Sequence, residues 1–188
     1  RIGVQTFIRV GSTGAIQKDI GCGDLIISSG AVRLDHASNC YIMPEYPAVA
    51  NYEVLLALVE AAESLGINNY HVGITATTAD FYAGQGRSMT KSCSLQVENL
   101  LSTLQKARVL NFEMETATLY TLVALYGLRA GSICAVFANR YTDEFEPEAG
   151  EENAIKIANQ AVKILAGWSM QKRKKGKQWL FPSLINAK

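Results

Sequence analysis

The chain has 188 residues, of which 48% are hydrophobic, and its 18 Lys and Arg against 17 Asp and Glu give a formal net charge of +1. This length and hydrophobic content suit one folded domain with a buried core. The near-neutral charge favours neither nucleic acid nor an anionic membrane as a partner, and no apolar run reaches the roughly 20 residues of a membrane span. We therefore predict a single domain over residues 1–188 with no nucleic-acid or membrane partner.

Strands and helices are predicted to alternate along the chain, which is typical of an α/β fold around a largely parallel or mixed sheet. Glycine-bearing and polar stretches separate the apolar runs. The basic run 171–177 is interpreted as a solvated helix end. The predicted elements are a strand at 4–10 ending in a Gly-rich turn, one or two strands in 23–35, a helix at 51–66, a strand at 69–78, a polar loop at 79–93, a helix at 94–109, an extended segment at 110–115, a helix at 116–128, a strand at 129–140, an acidic loop at 141–152 and a helix at 153–170.

The cysteines and histidines show no catalytic or metal-binding pattern. Neither His36 nor His71 has a spacing that indicates pairing with an acid or a nucleophile, and we expect both to be structural or surface residues. The cysteines are expected to be reduced thiols of a cytoplasmic protein, without disulfides or a metal site. They are Cys22, Cys40, Cys93 and Cys134.

Two glycine-bearing segments carry candidate binding residues. In "IRVGSTGA", the backbone N–H groups and the hydroxyl of Ser12 could approach an anion, with Arg9 adding a charged donor. An ordinary tight turn explains the same residues. In "FYAGQGR", Phe81 could stack on a flat ring while Gln85 and Arg87 offer polar groups to its edge. A solvated loop is the alternative for this segment.

Two carboxylates in "NFEMETATLY" are the third candidate. If the segment is extended, Glu113 and Glu115 share one face with Met114 on the other, and paired carboxylates can accept hydrogen bonds from the hydroxyls of a sugar. The alternative is an acidic first turn, which the helix dipole favours. A fourth candidate, Arg140, ends the apolar strand "AVFANR". A salt bridge to the nearby acidic loop would also explain that arginine.

Five segments together, "RVGSTGAI", "SGAVRLDHAS", "FYAGQGR", "FEMETATLY" and "AVFANR", resemble the uridine phosphorylase branch of the nucleoside phosphorylase family in order and rough spacing. The resemblance implies a three-layer αβα, phosphorylase/hydrolase-like fold with a central mixed sheet. It implies phosphorolysis of uridine to uracil and ribose 1-phosphate, with inorganic phosphate as co-substrate and no cofactor or metal. It also implies a homo-oligomer of dimers assembled into a hexamer.

The resemblance assigns a role to each candidate residue. Ser12 stands where the family usually has threonine, which keeps the hydroxyl. Arg140, Glu115 and Arg9 are the implied catalytic residues. The implied contacts are Arg9 and Ser12 with phosphate, Phe81, Gln85, Arg87 and Arg140 with the base, and Glu113, Met114 and Glu115 with the ribose.

The family's N-terminal part has no counterpart here, so we expect the chain to lack that part of the domain. Two other functions stay open. One is a purine nucleoside phosphorylase or a nucleosidase on the same fold, and the other is a non-catalytic nucleoside-binding relative.

Overall fold

The computed structural model describes residues 3–87 and 99–186. Cys93 and the first residues of the helix predicted at 94–109 lie outside these ranges. The described strands are β1 (Thr6–Ala15), β2 (Leu25–Leu34), β3 (Ala48–Val49), β4 (Tyr70–Thr78), β5 (Asn111–Glu113), β6 (Arg129–Asn139) and β7 (Glu144–Phe145). The described helices are α1 (Tyr52–Ser64), α2 (Leu100–Lys106), α3 (Thr116–Leu125), α4 (Glu151–Lys174) and α5 (Pro182–Asn186), with 3₁₀ turns at Ala37–Cys40 and Ala83–Gln85.

The seven strands form a mixed sheet in the order β3-β2-β4-β5-β1-β6-β7. β2 pairs in parallel with β4 and β1 pairs in parallel with β6, whereas β1 and β5 are antiparallel. β2 also pairs antiparallel with β6, with Leu25 opposite Ala135, so β2, β4, β5, β1 and β6 close into a barrel-like ring. The predicted mixed α/β architecture is confirmed. The three-layer arrangement is not confirmed, because the β2 to β6 pairing closes the sheet.

Helix α1 packs its apolar face on this sheet and on α4. The side chain of Asn51 caps its start by accepting the N–H groups of Glu53 and Val54, as asparagine does at N-cap positions. Gly66 follows its end with a φ of 68°, where glycine avoids the strain of a Cβ. Val54 and Leu58 are fully buried in the largest core cluster. The helix predicted at 51–66 is therefore confirmed.

Buried polar side chains form a hydrogen-bonded chain across four strands of the ring. Ser28 Oγ lies 2.8 Å from Thr75 Oγ1, which donates to Asn111 Oδ1 at 2.7 Å. Asn111 Nδ2 donates to Thr13 Oγ1 at 2.6 Å, and Thr13 Oγ1 donates to the carbonyl of Phe112 at 2.5 Å. Such a satisfied network favours one strand register, and it places the ends of β1 and β5 beside each other.

The predicted Gly-rich turn after the first strand is wrong. Residues 11–15 continue β1, and Gly11 pairs with Cys134 while Gly14 pairs with Ala138 of β6. The register shifts between Thr13 and Gly14, which leaves Phe137 as an extra residue on β6. The bulge is therefore in β6. β1 continues to Ala15 instead of turning, because β6 supplies pairing partners over the whole length of β1.

Two smaller expectations also need correction. His71 does have an acidic partner, since its Nε2 lies 3.0 Å from Asp24 Oδ2. The basic run does form an exposed helix end, since residues 171–174 are the last turn of α4 and 173–177 are exposed, but Lys172 within it is partly buried. The Nζ of Lys172 lies 2.6 Å from both carboxylate oxygens of Glu53.

Candidate functional site

Residues from the ends of β1 and β6, from β5 and from the segment after β4 line one cavity of about 280 Å³. It brings most of the predicted site residues together, although they are far apart in sequence. Arg9 and Arg87 do not line it but contact residues that do. The lining residues are Ser12, Thr13, Gly14, Phe81, Gln85, Phe112, Glu113, Met114, Glu115, Phe137, Ala138, Arg140 and Phe145.

One end of the cavity combines an aromatic ring, an amide and two guanidinium groups. The segment after β4 turns because Asp80 accepts the N–H groups of Tyr82 and Gly84, each at 2.9 Å. This turn directs Gln85 inward, where it is buried and its Oε1 accepts a hydrogen bond from Nη2 of Arg140. The predicted loop therefore contributes Phe81 and Gln85 to the cavity in its described part, while residues 79–83 are exposed.

The ring of Phe81 brings the two arginines of this end together. The guanidinium carbons of Arg87 and Arg140 lie 5.3 and 5.5 Å from the ring centroid. These distances allow a cation–π interaction with both groups. Phe81 is itself 48% exposed, so part of the ring is available to a ligand.

Arg140 is a charged group without a carboxylate partner in the described ranges. The alternative of a salt bridge to Asp143 or Glu144 is not found there. Its Nε–H group is buried and makes no hydrogen bond to the described residues. Burial, together with the positive charge of Arg87, lowers the pKa of Arg140 to about 10. An acceptor or a developing negative charge would compensate this cation.

The other end of the cavity carries the two predicted carboxylates, which differ in their surroundings. Glu113 ends β5, and its Oε2 accepts the N–H groups of Glu115 and Thr116 at 3.0 and 2.8 Å. The hydroxyl groups of Thr116 and Thr77 donate to the same carboxylate. Glu113 therefore caps the start of α3, as the alternative interpretation of an acidic helix start expected.

Glu115 is the freer carboxylate. The predicted extended segment ends at Glu113, and Glu115 precedes α3 with a φ of −135° and a ψ of −21°. Its side chain is 62% exposed and accepts a hydrogen bond from Nη2 of Arg9. The same Nη2 lies 3.4 Å from Glu113 Oε2. Both carboxylates thus face one guanidinium, and Met114 lines the cavity between them.

Arg9 is held from several sides. Its Nη1 donates to Cys134 Sγ at 2.7 Å, in addition to the two carboxylates at Nη2. Burial opposes the charge of Arg9, but the neighbouring Cys134 and both carboxylates raise its pKa above the ordinary value. Burial also raises the pKa of Cys134 to about 11, so this thiol is neutral near pH 7 and serves as an acceptor.

Several lining residues were missed by sequence reasoning. Phe145 comes from the predicted solvated acidic loop, where β7 pairs with the end of β6 and places its ring at the cavity. A phenylalanine among acidic residues was the available signal. Thr13 and Phe112 belong to regular strands, and nothing in their spacing marks them as site residues.

The cavity therefore has two chemically different ends. An aromatic ring, an amide and uncompensated cations suit a flat ring that carries carbonyl oxygens. A partly exposed carboxylate suits sugar hydroxyls. A nucleoside carries both groups, a flat base and a sugar, in one molecule.

The chain belongs to the Phosphorylase superfamily, whose profile matches residues 1–167. It is 58% identical over 184 residues to a uridine phosphorylase of Thermococcus kodakarensis, covering 97% of this chain and 66% of that relative. A uridine phosphorylase of Haemophilus influenzae is 43% identical over 171 residues, or 88% of this chain and 68% of the relative. A guanosine phosphorylase of Halorubrum lacusprofundi is 35% identical over 176 residues, or 88% and 68%.

The chain thus spans about two thirds of the length of these relatives. The predicted membership of the nucleoside phosphorylase family is confirmed. No helix in the described ranges is long and apolar enough to cross a membrane.

Proposed function

We propose that this protein is a pyrimidine nucleoside phosphorylase that converts uridine and inorganic phosphate to uracil and ribose 1-phosphate. The observation that carries the proposal is the partly buried guanidinium of Arg140, whose only hydrogen-bond partner among the described residues is the neutral amide of Gln85. Uracil gains negative charge as it leaves the sugar, and it would then be the anionic partner of the Arg140 guanidinium. The similarity to uridine phosphorylases supports the same substrate.

The reaction needs two charges to be stabilised at opposite ends of the cavity. The glycosidic C–N bond breaks as a phosphate oxygen bonds to the sugar carbon, so positive charge develops on the sugar and negative charge on uracil. Arg140, Arg87 and Gln85 stabilise the base, and Glu115 bonds the sugar hydroxyls beside the developing cation. The catalysis is positioning and electrostatic stabilisation, with no covalent enzyme intermediate, cofactor or metal ion.

Phosphate is assigned to the side of β1. Arg9 has a guanidinium with two further N–H groups beyond its contacts to Cys134 and the carboxylates, and Ser12 of the same strand lines the cavity. Glu113 has its carboxylate occupied by the start of α3. Its contribution to ribose binding is to hold the turn that presents Met114 and Glu115.

We also infer that the protein works in the cytoplasm as a dimer-based assembly, with a hexamer as the expected state. The family resemblance implies this assembly, and Tyr41, Met43 and Tyr126, each more than half exposed, offer apolar surface for it. Light scattering on the purified chain would give a mass six times that of the 20.5 kDa chain. A monomer would contradict this assignment.

A nucleoside panel at saturating phosphate tests the proposed substrate class. Uridine should be cleaved, with uracil release followed by its ultraviolet difference spectrum, whereas inosine and guanosine should be poor substrates. The purine alternative has one supporting observation, the 35% identity to a guanosine phosphorylase. Preferential cleavage of guanosine or inosine would establish that alternative and overturn the pyrimidine proposal.

A further inference from the structure

Two glycines of β1 lie directly against guanidinium groups of the site. Gly11 is two residues after Arg9, so both belong to the same face of the strand. Gly14 lies beside Arg140, which follows the paired strand β6. Neither glycine is among those with a positive φ, so the backbone conformation at these positions does not require glycine.

The three heavy atoms nearest to a Cβ at Gly11 all belong to Arg9. A Cβ added at Gly11 would lie 2.6 Å from Nη1, 2.9 Å from Cζ and 3.0 Å from Nη2 of Arg9. Real Cβ atoms do not approach heavy atoms as closely as the first two of these distances. An alanine here would therefore displace the guanidinium from Cys134 and from the two carboxylates.

Arg140 also packs against a glycine, Gly14, but at longer distances than Arg9 from Gly11. A Cβ at Gly14 would lie 3.2 Å from Nε and 3.8 Å from Nη2 of Arg140, with the carbonyl of Ala138 at 3.9 Å. The Nε is the buried donor that has no partner among the described residues. An alanine at this position would push that donor by a few tenths of an ångström.

Other strand glycines serve the hydrophobic core instead. A Cβ at Gly131 would meet Val54 Cγ1 at 2.5 Å, and one at Gly73 would meet Leu110 Cδ1 at 2.7 Å. Those glycines make room for buried apolar side chains. The nearest neighbours of Gly11 and Gly14 are instead the guanidinium groups of Arg9, which contacts the carboxylates of the cavity, and of Arg140, which lines it.

We propose that Gly11 and Gly14 are positioning residues for the two substrates. The absence of a side chain at Gly11 leaves room for the guanidinium of Arg9 to bind phosphate, and its absence at Gly14 leaves room for that of Arg140 to bind the base. The inference rests on the proposed function and deepens it. Because a guanidinium at the end of a flexible side chain can move aside, alanine at either position should leave the fold intact. Gly14→Ala should change the affinity for the base alone, whereas Gly11→Ala should change that for phosphate most and, because Arg9 also contacts Glu115, that for the sugar to a smaller extent.

Gly11→Ala and Gly14→Ala are the test variants, with steady-state kinetics in uridine and in phosphate. Gly11→Ala should raise the KM for phosphate roughly tenfold or more, since a displaced charged donor loses a strong hydrogen bond. Gly14→Ala should raise the KM for uridine by a smaller factor and leave that for phosphate unchanged. The unfolding temperature should change little for Gly14→Ala and fall modestly for Gly11→Ala, because Arg9 is then displaced from the buried carboxylate of Glu113.

Two matched glycine substitutions serve as controls. Gly167→Ala meets no heavy atom within 4 Å and should leave both KM values nearly unchanged, with a slightly raised unfolding temperature because alanine is favoured over glycine inside helix α4. Gly131→Ala should lower the unfolding temperature, because its Cβ clashes with Val54 in the core, without a selective change in either KM.

Double-mutant cycles distinguish positioning from direct obstruction of the substrate. In an Arg9→Ala background, Gly11→Ala should have no further effect on phosphate, and in an Arg140→Ala background Gly14→Ala should have none on uridine. Full effects in those backgrounds, or unchanged KM values in the single variants of an active enzyme, would overturn the inference while the proposed function stands.

Absence of wild-type turnover would instead overturn the proposed function. The glycine inference is then decided by calorimetric titration of inorganic phosphate into wild type and Gly11→Ala. A weaker Kd in the variant supports it. Equal Kd values, or no binding to the wild type, overturn it.

Discussion

Arg140 restricts what the cavity can bind more than any other described residue. A cation that is partly desolvated beside Arg87 has a lowered pKa, and the described residues give it only an amide and an aromatic face in return. Residues with strongly perturbed pKa values are concentrated at functional sites. The cavity is therefore suited to a ligand whose ring oxygens accept hydrogen bonds and gain negative charge during reaction.

Replacing Arg140 by alanine should lower kcat/KM for uridine by about 100-fold or more, because removal of one such electrostatic stabiliser costs several kcal/mol. The KM for phosphate should stay near the wild-type value. Arg173→Ala is the matched control, since Arg173 is exposed in the last turn of α4. Equal kcat/KM values for wild type and Arg140→Ala would exclude Arg140 from the reaction.

Residue types near the site were predictable, but their partners were not. The spacing of Glu113 and Glu115 indicated two carboxylates on one side, and both do face Arg9. It could not show that Thr77 also occupies Glu113, because Thr77 is 36 residues away in sequence. The pair formed by His71 and Asp24 was missed for the same reason.

Glu53 of α1 connects this helix to β6 and α4 through ion pairs. Its buried carboxylate receives Arg129 Nη1 at 2.9 Å and Lys172 Nζ at 2.6 Å, and the N–H of Leu180 at 3.1 Å. Burial alone would raise the pKa of Glu53, but these partners, Lys172 first, lower it below the ordinary value. Breaking such a buried pair leaves uncompensated charges.

Glu53→Gln should lower the free energy of unfolding at pH 7 by about 3 kcal/mol, measured by urea denaturation. A carboxylate with a lowered folded-state pKa stabilises fully above its unfolded-state pKa, and this stabilisation is lost as the pH falls through the folded-state value. The difference between wild type and Glu53→Gln should therefore shrink below about pH 4.

The control for this experiment is Glu152→Gln, which removes an exposed carboxylate that pairs with Lys156 at 2.7 Å. Surface pairs of this kind contribute little, so its unfolding curve should match that of the wild type. An equally small effect of Glu53→Gln, or a difference that is independent of pH, would contradict the assigned role of the Glu53 carboxylate.

Strong periodicity made most elements predictable. The helix at 51–66 has a clear apolar face and an asparagine cap, and the strand at 129–140 contains the apolar run 133–138. The segment "GSTGA" was misassigned to a turn because glycine and serine favour turns locally. Pairing with β6 overrides that preference, and no local pattern reports such a long-range partner.

Closure of the five-stranded ring brings the strand ends that form the site together. The pairing of Ile27 with Ile133 and of Leu25 with Ala135 joins β2 to β6, a contact between strands about 100 residues apart. Sequence alternation predicted a mixed sheet but contains no signal for this closure. The closed ring and its buried chain of Ser28, Thr75 and Asn111 hold the ends of β1, β5 and β6 around one cavity.

The dependence of uracil release on phosphate tests the proposed function most directly. The purified full chain is incubated with uridine, with and without inorganic phosphate, and both uracil and the sugar product are quantified. We predict uracil only in the presence of phosphate, accompanied by an equal amount of ribose 1-phosphate. Uracil release without phosphate, with free ribose as the product, would identify a nucleosidase and contradict the phosphorylase assignment.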